Sequence, residues 1–305
     1  MSNPNAINDV MDLAAGLRTK KDNTGQPDQL KVDPHFEEDS RVSKVIEYAI
    51  KRRKNLLIVG PTGCGKSSIA LNVAARLQER LEIFSCSGET SVDELIGKPW
   101  KVERNGQSVT IPVYGAGIRA YQEGKGLLLE EVDFPNPDIH ASLHRLLELS
   151  QDFIHVNVGE PEVIKRDKNF FVMATANTIG SGEDNFLYAG TKVLNAAFLN
   201  RFSMTVTMDF LAPDIEKKVL MNKTGIGATI ASEMVAVAEE ARRAQREDSM
   251  ERISSVLSTR DLLEWADAVV GMNMTPTEAA SYAFLNKMPE ADREVVQRMV
   301  ENRCK

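Results

Sequence analysis

Cysteine is scarce in this chain, and its three positions, Cys64, Cys86 and Cys304, are too scattered for a disulfide framework or a zinc site. Histidine is nearly as rare. Of His35, His140, His144 and His155, only His140 and His144 share an i, i+4 spacing, and no third metal ligand accompanies them. They read best as surface or interface side chains. No apolar run approaches the roughly 18 residues that span a bilayer, and the first ten residues lack both the basic patch and the apolar core of a secretory signal. The expectation is a cytoplasmic protein with no membrane segment. A net charge of −7 argues against a protein that coats nucleic acid, which carries a basic bias. An aromatic–basic strand pattern is missing too.

What the chain does contain is alternation. Residues 1–35 are polar, break at Gly25–Pro27, and read as a flexible arm with a short helix over 6–17. Ser40 is placed to cap a helix that ends in the basic run 51–54, where cations suit the negative end of the helix dipole. Apolar strands are expected at 55–59, 82–85, 126–129, 170–175 and 202–208, with helices between them, including 67–77 and 191–199. This order predicts a parallel sheet covered by helices on both faces. After residue 210 only helical patterns remain, at 230–247, 259–270, 275–287 and 290–302. The division is therefore an arm (1–35), an α/β nucleotide-binding core (36–209) and a small helical lid (210–305). Two stretches, 102–113 with Asn105-Gly106 and 153–164 with Gly159-Glu160-Pro161, carry hairpin signals. Nucleotide binding does not require them, which makes them candidates for touching a substrate; as plain connections they are equally legal.

The strongest chemical signal is the run Gly60, Pro61, Thr62, Gly63, Cys64, Gly65, Lys66, Ser67, with Ser68 after it. It matches G-x-x-x-x-G-K-[ST] and lies between an apolar strand and a helix, the context the motif needs. Glycines let backbone N–H groups curl around phosphates, and the helix N-terminus adds positive potential. Lys66 is suited to the outer phosphates and the Ser67 hydroxyl to Mg²⁺. Cys64 fills a variable slot, where a small residue serves. A second strand ends in Glu130 and Glu131, followed by Asp133. This is how a Mg²⁺-organising carboxylate and a water-polarising carboxylate are placed, with Glu131 as the catalytic base. The strand 171–176 ends in Asn177, an amide able to orient water or meet a γ-phosphate. Arg201 stands between a helix and the last strand, on the edge where it can reach a neighbouring subunit's γ-phosphate. Ser258 or Thr259 caps a helix that leaves Arg260 to face the nucleotide across the domain cleft.

These five elements, in this order, resemble those of AAA+ ATPases: Walker A, Walker B, sensor 1, arginine finger and sensor 2. The run 174–191 and the stretches 93–97 and 197–202 are similar to the ATPase subunit of aerobic cobaltochelatase, of the MoxR branch. The likeness extends over about 33–265. It implies a P-loop NTPase core with a helical lid, ATP and Mg²⁺ as cofactors, and a hexameric homo-oligomeric ring. It also implies a helix-2 insert at 102–113 near the pore, and a partner protein with a von Willebrand A domain. One position departs from the family, Glu130 where Asp is usual, and the arm is shorter than a separate N-terminal domain. Three readings follow: a motor that remodels a partner complex, with metal insertion as one outcome; a DNA-directed motor or assembly factor; and a scaffold that senses ATP without hydrolysing it. The complete element set weighs against the scaffold, and the acidic charge against the DNA motor.

Overall fold

The computed structural model describes residues 30–104, 107–178, 191–192, 194–246 and 252–304. The expected helix at 6–17, the Asn105-Gly106 turn and most of the run 174–191 lie outside these residues. The sheet has five parallel strands: β1 (Leu56–Val59), β2 (Leu81–Ser85), β5 (Gly126–Glu130), β8 (Phe171–Ala176) and β9 (Met204–Thr207). Their order is β2-β5-β8-β1-β9. β1 sends its outgoing connection toward the β2 edge while β9 closes the other, so the crevice beyond its C-terminal end is where such sheets bind ligands.

Alternate side chains of the central strands go to opposite faces. Leu57, Val59, Leu127, Leu129, Val172 and Ala174 join one core cluster. It is covered by α4 (Ala116–Glu123) and α5 (Pro137–Leu147). Leu56, Ile58, Leu128, Phe171 and Met173 join the second, beneath α1 (Ser40–Lys51) and α2 (Lys66–Arg76). Strands buried on both faces carry no polar alternation, as in LLIV and FVMATA. Each of the three cysteines is buried in a different cluster, so none has another within reach.

The helix over Ser40–Lys51 is capped by Asp39, one residue earlier than expected, its Oδ1 accepting the N–H of Arg41 at 2.7 Å. The carboxylate reaches the second helical N–H, which leaves Ser40 as the first helical residue. The helix expected over 191–199 is reduced to α6 (Ala196–Leu199). Asn195 accepts the N–H of Ala197 at 2.8 Å, and the Lys192 N–H goes to the Asp133 carbonyl at 2.7 Å, so the preceding residues are spent outside the helix. α3 (Val92–Leu95) was not expected. Both hairpins form: β3 (Gly97–Arg104) with β4 (Gln107–Tyr114), longer than foreseen, and β6 (Phe153–Val158) with β7 (Glu160–Lys165). The second turns at Gly159, whose φ of +96° suits glycine. It lays Ile154, Val156, Val158 and Ile164 on the core and leaves Phe153 and Val163 outside.

Beyond the sheet, five helices pack around Trp265: α7 (Pro213–Thr224), α8 (Ala228–Arg246), α9 (Thr259–Met272), α10 (Pro276–Ala283) and α11 (Glu290–Arg303). The first was not expected, although Pro213 at its start and left-handed Gly225 at its end are helix boundary signals. Among the described residues no helix is long and apolar enough to cross a membrane. Within this region Glu216 and Arg242, fully and almost fully buried, form a two-pronged ion pair at 2.9 and 2.9 Å. Removing one partner of such a pair leaves an uncompensated charge, at a cost of about 3–5 kcal/mol. Arg242→Met is expected to lower unfolding stability by that amount in urea titration. The double variant Glu216→Leu/Arg242→Met, which leaves no charge behind, should recover most of the loss.

Candidate nucleotide site

The loop after β1 is shaped by what surrounds its glycines. A Cβ at Gly60 would lie 2.5 Å from the Met208 carbonyl oxygen. Gly63 and Gly65 have φ of +71° and +94°, the left-handed region. A Cβ at Gly63 would also meet Ser258 Cβ and Oγ at 2.5 Å, so the start of α9 rests directly on the loop. Gly65 precedes α2 without a side-chain cap, leaving the first N–H groups of that helix to the loop's hollow. Pro61, Ser67 and the exposed Thr62 and Ser68 complete the turn, while Cys64 points down into the core. Burial pushes the Cys64 thiol up, away from the reactive thiolate.

Lys66 is 8% exposed, and its ammonium donates to the carbonyls of Gly60 (2.8 Å) and Pro61 (2.9 Å) and to Asn177 Oδ1 (2.9 Å). Burial pulls its pKa below the usual lysine range, opposed by Cys64, Asp133 and Glu131. The loop lysine and the strand-end amide are thus brought together, as the sequence suggests.

The carboxylates lie at and just beyond the end of β5, beside β8. Glu130, half-buried, accepts the Ser85 hydroxyl at 2.7 Å from the adjacent strand. Glu131 is exposed and has a φ of +57°, rare for a residue with a side chain. Its N–H donates to Thr175 Oγ1 at 3.2 Å. The left-handed turn sets Glu131 apart from Glu130 despite their adjacency. Asp133, fully buried, accepts the N–H groups of Asn177 (2.8 Å) and Thr178 (3.2 Å) with Oδ2, while Oδ1 has no protein partner. Burial raises its pKa, against those two N–H bonds. Sequence reading passed over Asp133, whose only signal was its place three residues after Glu130. His140 is not a surface histidine: it is buried, with Nε2 2.8 Å from the Val132 carbonyl and its ring 4.8 Å from that of Phe198. His144 packs edge-on to the same phenylalanine.

Arg260 is exposed and lines a cleft of about 710 Å³ together with Gly63, Gly65 and Ser68. Ser258, not Thr259, caps α9, its hydroxyl meeting Asp261 N. The cleft's apolar walls come from both the sheet region and the helical region, through Phe36, Val42, Ile69, Val219 and Leu263. The end of the expected arm belongs to this wall. Asp33 donates its N–H to Asn72 Oδ1 at 3.1 Å and pairs with Lys223 of α7, and Leu30 packs on the adjoining apolar cluster, while Lys31, Val32, Pro34 and His35 stay exposed.

Arg201 is elsewhere. Its carbonyl accepts from Asn55 Nδ2 at 3.0 Å and its guanidinium pairs with Glu148. Asn55 precedes β1 and the loop follows it. A four-residue strand, on the order of 13 Å, therefore separates Arg201 from its own loop.

The parallel sheet, the glycine loop with its buried lysine and the appended helices define a P-loop nucleotide-binding protein of the AAA+ class. Residues 55–202 match the AAA domain (dynein-related subfamily), and residues 216–302 match the CbbQ/NirQ/NorQ C-terminal family. The chain belongs to the AAA+ proteins of MoxR type. It is 28% identical over 298 residues to the aerobic cobaltochelatase subunit CobS of a Sinorhizobium species, covering 95% of this chain and 87% of that protein. An uncharacterized protein of Staphylococcus haemolyticus (strain JCSC1435) is 26% identical over 270 residues, covering 88% and 96%. Among solved structures, the Thermotoga maritima RuvB Holliday junction branch migration motor superposes with a TM-score of 0.50. At 16% identity, covering 90% of this chain and 72% of that one, it shares the fold.

Gly63→Ala tests the loop. The left-handed backbone costs a side chain about 1–2 kcal/mol, and the methyl group must displace Ser258. Affinity for a fluorescent ATP analogue is expected to fall about tenfold or more while far-UV circular dichroism stays unchanged. Unchanged affinity would contradict the close contact described.

Proposed function

We propose that this chain hydrolyses ATP with Mg²⁺ as one subunit of a hexameric ring, each active site being completed by the neighbour, and that it uses the cycle to remodel a partner complex. The observation that carries this reading is the separation of Arg201 from its own loop, at the opposite end of β1 from Lys66 and Asn177. That distance supports a role for the arginine at a neighbouring site.

The residues present fit a nucleoside triphosphate with its metal. Two left-handed glycines open the loop's N–H groups, a buried ammonium lies at their centre, and Asp133 Oδ1 is a buried oxygen without a protein partner. Ser67 and Glu130 would hold Mg²⁺, which when bound neutralises phosphate charge. In this account the residues of Gly60–Ser68 cradle the phosphates by backbone N–H donation. Lys66, now satisfied by two carbonyls and Asn177, turns its ammonium to the outer phosphates. Glu131 takes the proton of the attacking water, and Asn177 orients that water. Arg260 of the same chain and Arg201 of the next subunit stabilise the charge that develops on the transferred group.

Likeness to the relatives supports a reading of the remodelled partner. The match to a cobaltochelatase subunit supports metal insertion into a tetrapyrrole as one outcome. In that case another subunit holds the metal and the ring, and a von Willebrand A domain protein is the partner that the family likeness implies. The two hairpins, with Trp100 and Val163 about half exposed at their surfaces, are the elements proposed to touch it.

Lys66→Ala is expected to abolish ATP binding. Glu131→Gln should bind ATP with undiminished affinity and lose turnover by about 10²–10⁴-fold, the usual worth of a general base; turnover at the wild-type rate would remove Glu131 from that role. Arg201→Ala should lose turnover by about 10³-fold or more with nucleotide affinity retained. Mixing Arg201→Ala with Lys66→Ala subunits should restore phosphate release, because an intact loop then meets an intact Arg201 on its neighbour. If the mixture stays inactive, the arginine does not act across the interface.

A further inference from the structure

Four groups of the helical region converge on one buried point beside the loop, and the mechanism above uses none of them. Glu216 of α7 receives Arg242 Nη1 on Oε2 and Nη2 on Oε1, both at 2.9 Å. The Thr259 hydroxyl donates to Glu216 Oε1 at 2.5 Å. Arg242 Nε donates to the Leu257 carbonyl at 2.9 Å, and its guanidinium lies 3.9 Å from the centre of the Phe210 ring.

These bonds surround the contact between helices and loop. Leu257 and Thr259 flank Ser258, the residue that leaves Gly63 no room for a side chain. Thr259 directly precedes Arg260. Phe210 follows two residues after Met208, whose N–H donates to the Val59 carbonyl at 2.7 Å at the base of the loop. A buried ion pair is a poor source of net stability, since apolar packing would hold three helices at less desolvation cost. What a forked, fully bonded pair does supply is direction. Two bonds hold the start of one helix, Arg242 Nε to the Leu257 carbonyl and the Thr259 hydroxyl to Glu216.

We propose that Glu216, oriented by Arg242, is a positioning residue for Arg260: through Thr259 it fixes the first turn of α9 so that Arg260 faces the outermost phosphate of the bound nucleotide. The inference rests on the reading of Arg260 as a phosphate-facing residue. Its consequence is that discrimination between ATP and ADP depends on a hydroxyl that touches neither.

The test is a double-mutant cycle on nucleotide preference, the ratio of ADP to ATP dissociation constants measured by calorimetry with Mg²⁺ on the full chain. Arg260→Ala is expected to lower that ratio about tenfold, the size of one hydrogen bond to a charged group. Thr259→Val, close in volume but without the hydroxyl, should lower it to a similar extent. In the Arg260→Ala background it should have no further effect, and Thr259→Ser should keep the wild-type ratio. Thr259→Ala, smaller and also lacking the hydroxyl, is measured alongside should the valine variant fail to fold. Two results overturn the proposal alone: equal losses from Thr259→Val in both backgrounds, or no loss where Arg260→Ala produces one. If Arg260→Ala itself leaves the ratio unchanged, the reading of Arg260 fails and the positioning role falls with it.

Discussion

One buried ammonium ties together the ends of neighbouring strands. Lys66 is held by the two carbonyls that follow β1 and by Asn177 at the end of β8. Asn177 is held in turn through its N–H by Asp133, just past the end of β5. A cation removed from water must be surrounded by oxygens, and here those oxygens come from the C-terminal ends of adjacent parallel strands. The requirement therefore fixes the loop, the strand-end amide and the acidic turn relative to one another before any ligand arrives. Such preorganisation is what transition-state stabilisation needs from a protein. The positive φ of Glu131 belongs to the same arrangement, because the chain turns sharply between Glu130 at the end of β5 and the buried Asp133.

The helical region is the second constraint. Its contact with the loop is made at a position where only glycine fits, and the cleft beside it takes its walls from the sheet region, the helices and the segment around Asp33. Ligand in that cleft touches all three. A nucleotide bound as proposed would bridge core and helices, the ordinary means by which a nucleotide cycle becomes motion. The hairpins stand apart from this path, and their outward apolar side chains leave them free to meet another molecule.

Much of this was legible in the sequence because the strongest signals were local. Buried strands such as LLIV and FVMATA, the glycine loop between strand and helix, and the hairpin turn at Gly159 each announce themselves within a dozen residues. The placements that eluded sequence reading depend on distant partners. The end of the expected arm is tied down at Asp33, whose partners Asn72 and Lys223 lie far along the chain. Glu216 and Arg242 carry no local sign of burial, and only the fold puts both in a core. The helix expected at 191–199 starts late because Asn195 is extended and caps it, its side chain accepting the Ala197 N–H. Asp39 displaced Ser40 as a cap by a single residue, a margin that composition does not resolve.

The central claim is that one chain supplies the loop and another supplies Arg201, so that the active site exists only in an assembly. The most direct test is molar mass by light scattering with and without Mg·ATP, with phosphate release followed in the same samples. The account predicts an assembly near six times the 33.8 kDa chain mass, stabilised by nucleotide, with phosphate release rising as the assembly forms. A single chain that releases phosphate at its full rate, independent of protein concentration, would contradict it.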